Sequence, residues 1–591
     1  MPLLTVALIC HAASAVHPAS QRAAAQADSR RATRPNVLFI VADDMGYGDI
    51  RSHGNEKIDT PVLDQLAAGG ARFERFFVAP LCAPTRASLL TGRYPLRTGT
   101  AGVTRGLETM RAEEVTIAEA LKRAGYATGI FGKWHNGQHY PNHPRGQGFD
   151  EFFGFSAGHW NNYFDTTLEH NGRFVKTKGY ITDVLTDAAI RFIENNRARP
   201  FFAYVPYNAP HSPYQVPDRY FTKYKARGLD DTTASVYGMV ENIDENIGRL
   251  LRKLDESNLT DDTIVIFMTD NGPQTARYNG GMKGRKGSVE EGGVRVPFFL
   301  RWPGQINAGM TVKNIAAHID LLPTIDELTG TTRLVTLPLD GRSLVPLLKG
   351  KAAGWTDRML FTHPTGGQAQ SAGAVRTERW RGVYSDARQE LYDMAADPGQ
   401  TKNVAAAHPE AVRTLRAAYE ASFKDVTPRG VGRPSIPVGY AQAPTVELPA
   451  PEAYLTGGVK WFGEAGYAND WITNWTSTDD RIAWELDVVR AGRYEVTLRY
   501  ACAAEDINSK VRVEVGGSAV EGTVGRAHDP KPLPSPDRVP RRGEVYEKVW
   551  ALLTLGTVRL DQGRTRLSVG SLGVAGKRVM DLKAVDLRRV R

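Results

Sequence analysis

Residues 36–44 read NVLFIVADD, an almost continuously apolar run that stops at two acids. Such a run suits a strand buried on both faces of a sheet, because a half-exposed strand would alternate apolar and polar residues. Similar runs recur at 127–131 (ATGIF), 201–205 (FFAYV), 264–268 (IVIFM) and 298–300 (FFL). Helical stretches lie between them. Residues 116–119 (TIAE) carry a capping-box signal for a helix through Lys122 that Gly125 can end, and 234–254 has apolar residues at helical spacing. Strand alternating with helix predicts an α/β domain on a mostly parallel sheet, beginning at about Pro35.

In open α/β sheets ligands bind outside the carboxyl ends of the strands. The residues that follow the apolar runs are therefore the ones to read for chemistry. Asp43 and Asp44 follow the first run, and Thr269, Asp270 and Asn271 follow the fourth. Three carboxylates and an amide on one edge suit Ca²⁺, with Mg²⁺ the alternative, and the carboxylates would repel one another without a cation. Each Asp alone could equally cap the turn after it; the doubled pattern points to metal.

Further along, 335–426 reads as a small α+β lobe, with short strands at 359–362 and 381–384 and a helix at 408–424. Residues 427–451 hold six prolines in 25 positions and read as a linker or extended strap. Beyond it, 493–500 (RYEVTLRY) and 510–515 (KVRVEV) alternate at period two, and 558–569 and 579–587 look similar. These short strands predict an all-β sandwich over 452–591.

With 591 residues, 41% hydrophobic and 24% charged, the chain is too long for one core and too apolar for disorder. No stretch after the first fifteen residues approaches the roughly 18 to 20 apolar positions of a spanning helix, so no integral membrane segment is expected. The net charge of +9 favours polyanionic partners. Basic motifs with interleaved aromatics are lacking, which argues against nucleic acid. Three cysteines, Cys10, Cys82 and Cys502, exclude a disulfide framework or a multi-cysteine zinc site. Residues 1–15 (MPLLTVALICHAASA) read as a secretory signal closed by an A-x-A site, although without a basic n-region, and 16–34 as a tether. A secreted or periplasmic protein is expected. Ile9 before Cys10 argues against a lipoprotein anchor.

Residues 81–93 read LCAPTRASLLTGR. C-x-P-x-R followed by Thr-Gly-Arg resembles the signature of the type I sulfatases of the alkaline phosphatase superfamily, in which a dedicated maturation enzyme oxidises that cysteine to formylglycine. Five more motifs occur in that family's order: DDMGYGD at 43–49, GKWH at 132–135, PH at 210–211, TDNG at 269–272 and GRKGSVEEGGVRVP at 284–297. Together they cover roughly 35–425. Thr85 stands where Ser is commoner in the family, and it keeps the hydroxyl.

The resemblance implies an alkaline-phosphatase-like mixed sheet with helices on both faces, a small α+β C-terminal subdomain, and hydrolysis of sulfate esters. It implies that Asp43, Asp44, Asp270 and Asn271 bind Ca²⁺, with the formylglycine made from Cys82 completing the shell. Arg86 would hold the hydrated aldehyde, Lys133 and Lys286 the sulfate oxygens, and His135 and His211 would handle protons. Lys286 is preferred to Lys283 because it precedes the GSVEEGG run. One hydroxyl of an aldehyde hydrate attacks sulfur and the other then expels sulfate, a second step that a serine could not perform.

Four of the thirteen histidines, His135, His139, His143 and His159, fall within 135–159. This stretch has few apolar runs and is expected to be a loop on the active-site face, with His139, Arg145 and His159 as substrate contacts. A zinc cluster is disfavoured because the spacings lack cysteine. In the sandwich, Trp461, Trp471, Trp475, Trp484 and Trp550 suit either sugar stacking or core packing. The expected substrate is a sulfated glycan or an aryl sulfate ester, the glycan being favoured by the charge and the appended domain. The alternative is a phosphonate or phosphate ester hydrolase of the same superfamily. A non-catalytic glycan-binding protein would lack a catalytic residue, and none is missing.

Overall fold

The computed structural model describes residues 34–332, 337–364 and 372–590. The leader and Cys10 lie outside the described residues, as does all of the tether before Arg34. In chain order the main sheet comprises β1 (Asn36–Ala42), β2 (Ala71–Phe77), β3 (Ala127–Lys133), β4 (Glu151–Phe155), β5 (Thr167–His170), β6 (Arg173–Lys176), β7 (Phe201–Pro206), β8 (Thr263–Thr269), β9 (Arg295–Arg301), β10 (Met310–Val312) and β11 (Ala316–Ala317). Their spatial order is β10-β2-β9-β8-β1-β7-β3-β4-β5-β6, with β11 also on β2. The centre, β8-β1-β7-β3-β4, is parallel. Antiparallel β9 and β5 flank it, so the sheet is mixed.

The position of β1 explains its composition. Leu38, Ile40 and Ala42 enter the core on one face, and Val37, Phe39 and Val41 enter the core on the other. β8 divides likewise, Val265 and Phe267 against Ile264, Ile266 and Met268. Helices Ile181–Asn196 and Asp231–Glu256 cover the first face, and Cys82–Thr91, Ile117–Arg123 and Leu321–Thr329 the second. Thr116 caps its helix through the reciprocal bonds with Glu119 that the sequence signals. No helix among the described residues is long and apolar enough to cross a membrane.

A four-stranded antiparallel sheet (Leu360–Thr362, Gly373–Arg376, Trp380–Ser385, Arg388–Asp393) carries the helix Pro409–Val426 on one face. Glu291 ties this lobe to the main sheet: its carboxylate takes Arg376 Nη1 at 2.6 Å and Arg381 Nη1 at 3.4 Å, all three side chains being buried.

The C-terminal region is a sandwich of two six-stranded sheets around one core. Three details differ from the sequence reading. The proline-rich stretch is not a free linker: Ile436–Val438 pairs in one sheet and Thr445–Pro449 in the other, so the sandwich begins inside it. The run at 558–569 is two strands, Ala551–Leu560 and Gly563–Gly573, broken at Asp561. Trp471, Trp475 and Trp484 are fully buried, and Trp461 lies under Arg105 of the α/β domain with Cζ 4.2 Å from its ring centroid. These rings serve packing and docking, which removes them as a stacking platform.

Breaking a buried ion pair leaves an uncompensated charge and costs on the order of 3 to 5 kcal/mol. Glu291→Gln strands two buried arginines and is therefore expected to lower the urea midpoint of the α/β domain clearly. An unchanged midpoint would show that the lobe is held by its apolar contacts alone.

Candidate active site

The ends of four parallel strands converge. β1 delivers Asp43 and Asp44, β8 delivers Asp270 and Asn271, and β3 ends on Lys133 with His135 two residues on; the loop after β7 carries His211. The helix Cys82–Thr91 adds Cys82 in its first turn and Arg86 four residues later. Residues at i and i+4 share a helix face, which is why the spacing C-x-P-x-R aims both side chains at the same point. Pro84 is tolerated because the first turn has no intrahelical acceptor for its missing N–H.

Each cation holds a carboxylate. Arg86 donates from Nε and Nη2 to Asp270 Oδ2 at 3.0 and 2.8 Å, and from Nη1 to the Lys133 carbonyl at 3.0 Å. Lys133 Nζ donates to Asp43 Oδ2 at 2.5 Å, and Lys286 Nζ to Asp44 Oδ2 at 2.8 Å. Asn271 Nδ2 donates to Asp44 Oδ1 at 2.8 Å. Lys283 instead donates to Tyr392 Oη at 2.9 Å, away from this cluster.

Titration directions follow from burial and charge. Burial alone would raise Asp43, but Lys133, His211 and Arg86 hold it below the usual carboxylate range. Burial and the charge of Asp43 push Asp270 up in spite of Arg86. Two adjacent carboxylates driven apart in this way are what a divalent cation would relieve. Asp43 Oδ1 and Asn271 Oδ1 are buried without any hydrogen-bond partner, and orphaned oxygens in such a donor set fit a hard cation. Ligand atoms of Asp43, Cys82 and Asp270 lie within 4.8 Å of one another, as do those of Asp43, Asp44 and His211.

Burial pushes the Cys82 thiol up, and Lys133 and Lys286 only partly offset this. The unmodified thiol is thus a poor nucleophile. His135 Nε2 lies 2.9 Å from the Val103 carbonyl while Nδ1 is buried without a partner. Burial and Lys133 hold His135 well below its ordinary range, so it is neutral, with Nε2–H donating to Val103. His211 Nδ1 lies 2.6 Å from the Ser212 carbonyl, and its Nε2 lies 3.6 Å from Asp44 Oδ2.

Of the expected substrate contacts, His159 adjoins the cluster, its ring centroid 6.1 Å from that of His211. His139 pairs with Glu452 of the C-terminal region at 3.2 Å, and Arg145 is exposed beside Gly172, so neither is brought to Cys82. The 135–159 stretch is also not wholly loop, since β4 lies within it. The sequence reading misses Arg277, whose Nη2 donates to the Asp44 carbonyl at 3.0 Å and to Asp49 Oδ2 at 2.6 Å. It holds Asp44 in a left-handed conformation, φ +63°. The reading also misses Glu544, which reaches His159 from the sandwich.

Comparison with known proteins gives concordant matches. A family model described as Sulfatase matches residues 35–331, and one described as N-sulphoglucosamine sulphohydrolase, C-terminal, matches 285–424. Arylsulfatase A of Homo sapiens is 33% identical over 457 residues, covering 65% of this chain and 86% of that protein. N-acetylgalactosamine-6-sulfatase of Homo sapiens is 35% identical over 365 residues, covering 55% of this chain and 68% of that protein. Among solved structures, Ps i-CgsB in complex with k-i-k-neocarrahexaose superposes with TM-score 0.63 at 31% identity, covering 68% of this chain and 95% of that one.

A ligand bound only by the folded state stabilises it by about 2.7 kcal/mol at a concentration near 100 times Kd. Added Ca²⁺ is therefore expected to raise the calorimetric melting temperature of the catalytic domain, and Asp44→Asn to shrink that shift. A melting temperature indifferent to Ca²⁺, Mg²⁺ and chelator would rule out a cation at these donors.

Proposed function

Because the chain belongs to the sulfatase family and is a sulfuric ester hydrolase, we propose that it removes sulfate from a sulfated carbohydrate, using a formylglycine made from Cys82 and a bound Ca²⁺. The observation that carries this reading is the convergence of Cys82, the buried Arg86 and Lys133, the partly exposed Lys286 and a donor set with two orphaned oxygens. Support for a carbohydrate comes from relatives named for N-acetylgalactosamine 6-sulfate and solved with a neocarrahexaose, and from the net charge of +9. Family membership favours sulfate over the phosphonate and phosphate esters that the sequence leaves open. The leader read at 1–15 supports export, and Cys82 requires a formylglycine-generating enzyme as a partner.

Asp43, Asp44, Asp270 and Asn271 would hold the cation, Mg²⁺ being the substitute. When present, the cation neutralises charge on the sulfate, and the formylglycine hydrate offers one hydroxyl for attack and a second for release of sulfate. Arg86 orients the hydrate while Lys133 and Lys286 bind the non-bridging sulfate oxygens. Although burial opposes it, Asp44 keeps Lys286 well above the ordinary lysine range, so Lys286 stays a fixed cation. Burial and Lys286 lower His211, while Asp44 and Asp43 favour its charged form. With Nδ1–H donating to Ser212, the protonated ring carries its second proton on Nε2, and that proton goes to the departing alkoxide, which leaves the ring neutral. His135 Nδ1, unpartnered and neutral, takes the proton whose removal starts sulfate release.

Tryptic mass spectrometry of protein from its native host tests this directly. The Cys82 peptide is expected about 18 Da below the thiol mass, or near the thiol mass as the hydrate, the signature of an aldehyde in place of a nucleophilic thiol. Lys286→Ala is expected to cut kcat/KM on an aryl sulfate about 100-fold or more. Free thiol at Cys82 in enzyme that turns over sulfate esters would overturn the mechanism.

A further inference from the structure

The sandwich, which lies beyond both family matches, enters the active site. Its strands Ser518–Thr523 and Ala551–Leu560 are joined by residues 524–550, which hold no helix or strand. Connections longer than about 12 to 15 residues without secondary structure are uncommon in compact domains and are usually functional or disordered. This one is fastened to the catalytic domain by polar contacts that are partly buried. Arg541 Nη2 donates to the Asn161 carbonyl at 2.6 Å, and Gln215 Nε2 donates to Ser535 Oγ at 2.8 Å and Asp537 Oδ1 at 2.7 Å. The Arg538 backbone N–H donates to the Tyr214 carbonyl at 2.9 Å.

This strap brings Glu544 behind the histidines. Glu544 Oε1 accepts from Ser212 Oγ at 2.8 Å and lies 3.3 Å from His159 Nδ1 and 4.0 Å from His211 Nδ1. A buried carboxylate is ordinarily matched to Arg or Lys. Here the neighbouring arginines are committed elsewhere, Arg541 to Asp537 and Arg538 to Asp218, and the described ion-pair partners of Glu544 are the two histidines. Burial would push its carboxyl up, yet His159, His211 and Ser212 hold it well below the usual range. A carboxylate behind an imidazole fixes the orientation of the ring.

We propose that Glu544 is a positioning residue of the sulfatase reaction, supplied to the active site by the C-terminal sandwich: through Ser212 and His159 it holds His211 with Nε2 facing the leaving group. The proposal rests on the role given to His211 above. A residue acting through the proton donor matters most where the departing oxygen needs a proton, which separates it from a general structural role.

The test uses full-length enzyme whose aldehyde content is measured by mass spectrometry, with phenyl sulfate and 4-nitrophenyl sulfate as probes. For Glu544→Ala, kcat/KM is expected to fall about 10- to 100-fold on phenyl sulfate, and less than about 3-fold on 4-nitrophenyl sulfate, whose leaving group needs little protonation. Glu544→Gln keeps an acceptor for Ser212 and guards against misfolding of the alanine variant; it is expected to show the same dependence on leaving group, to a smaller degree. Equal losses on both esters, or no loss, would overturn the proposal. Aldehyde-bearing wild-type enzyme that turns over neither ester would overturn the underlying reading of the site, an outcome separate from either of these.

Discussion

Arg86, Lys133 and Lys286 each hold one of the carboxylates Asp270, Asp43 and Asp44 at a strand edge from which bulk water is largely excluded. Three negative and three positive side chains leave the cluster near neutrality. It can therefore be buried in the apo protein without the cost of isolated charge. A divalent cation at these donors would make the site about two charges positive, which suits a sulfate ester and the charge developing on its oxygens. The doubly buried strands β1 and β8 pair in register up to Ala42 and Thr269, which sets the acids that follow them side by side.

What the sequence could disclose follows from where information is local. A strand buried on both faces must be apolar at every position, so β1, β7 and β8 are visible as runs, and the acids that follow β1 and β8 are visible by contrast. Cys82 and Arg86 share a helix face by spacing alone. The proline-rich stretch misled because edge strands tolerate proline and carry too few residues for a period to show. β4 hid among histidines for a similar reason, being five residues long. Arg277 and Glu544 act through partners far away in the chain, and neither sits in a periodic element. No local pattern could single them out, although Asp49, the partner of Arg277, lies within the quoted DDMGYGD motif.

The sandwich therefore has a different meaning in the structure than in the sequence. A module tethered by a flexible linker would bind substrate at a distance and raise its local concentration. Here the proline-rich segment is sewn into both sheets, and Tyr140 packs edge-on against Tyr440 with centroids 5.0 Å apart. His139 and Gln138 of the catalytic domain share Glu452, and Trp461 lies under Arg105. The domain reaches the histidines of the site through the irregular strap, with Glu544 beside His159 and His211. Loops positioned by rigid scaffolds are where binding and catalytic groups concentrate. The boundary between domains thus runs beside His159 and His211 at the candidate active site.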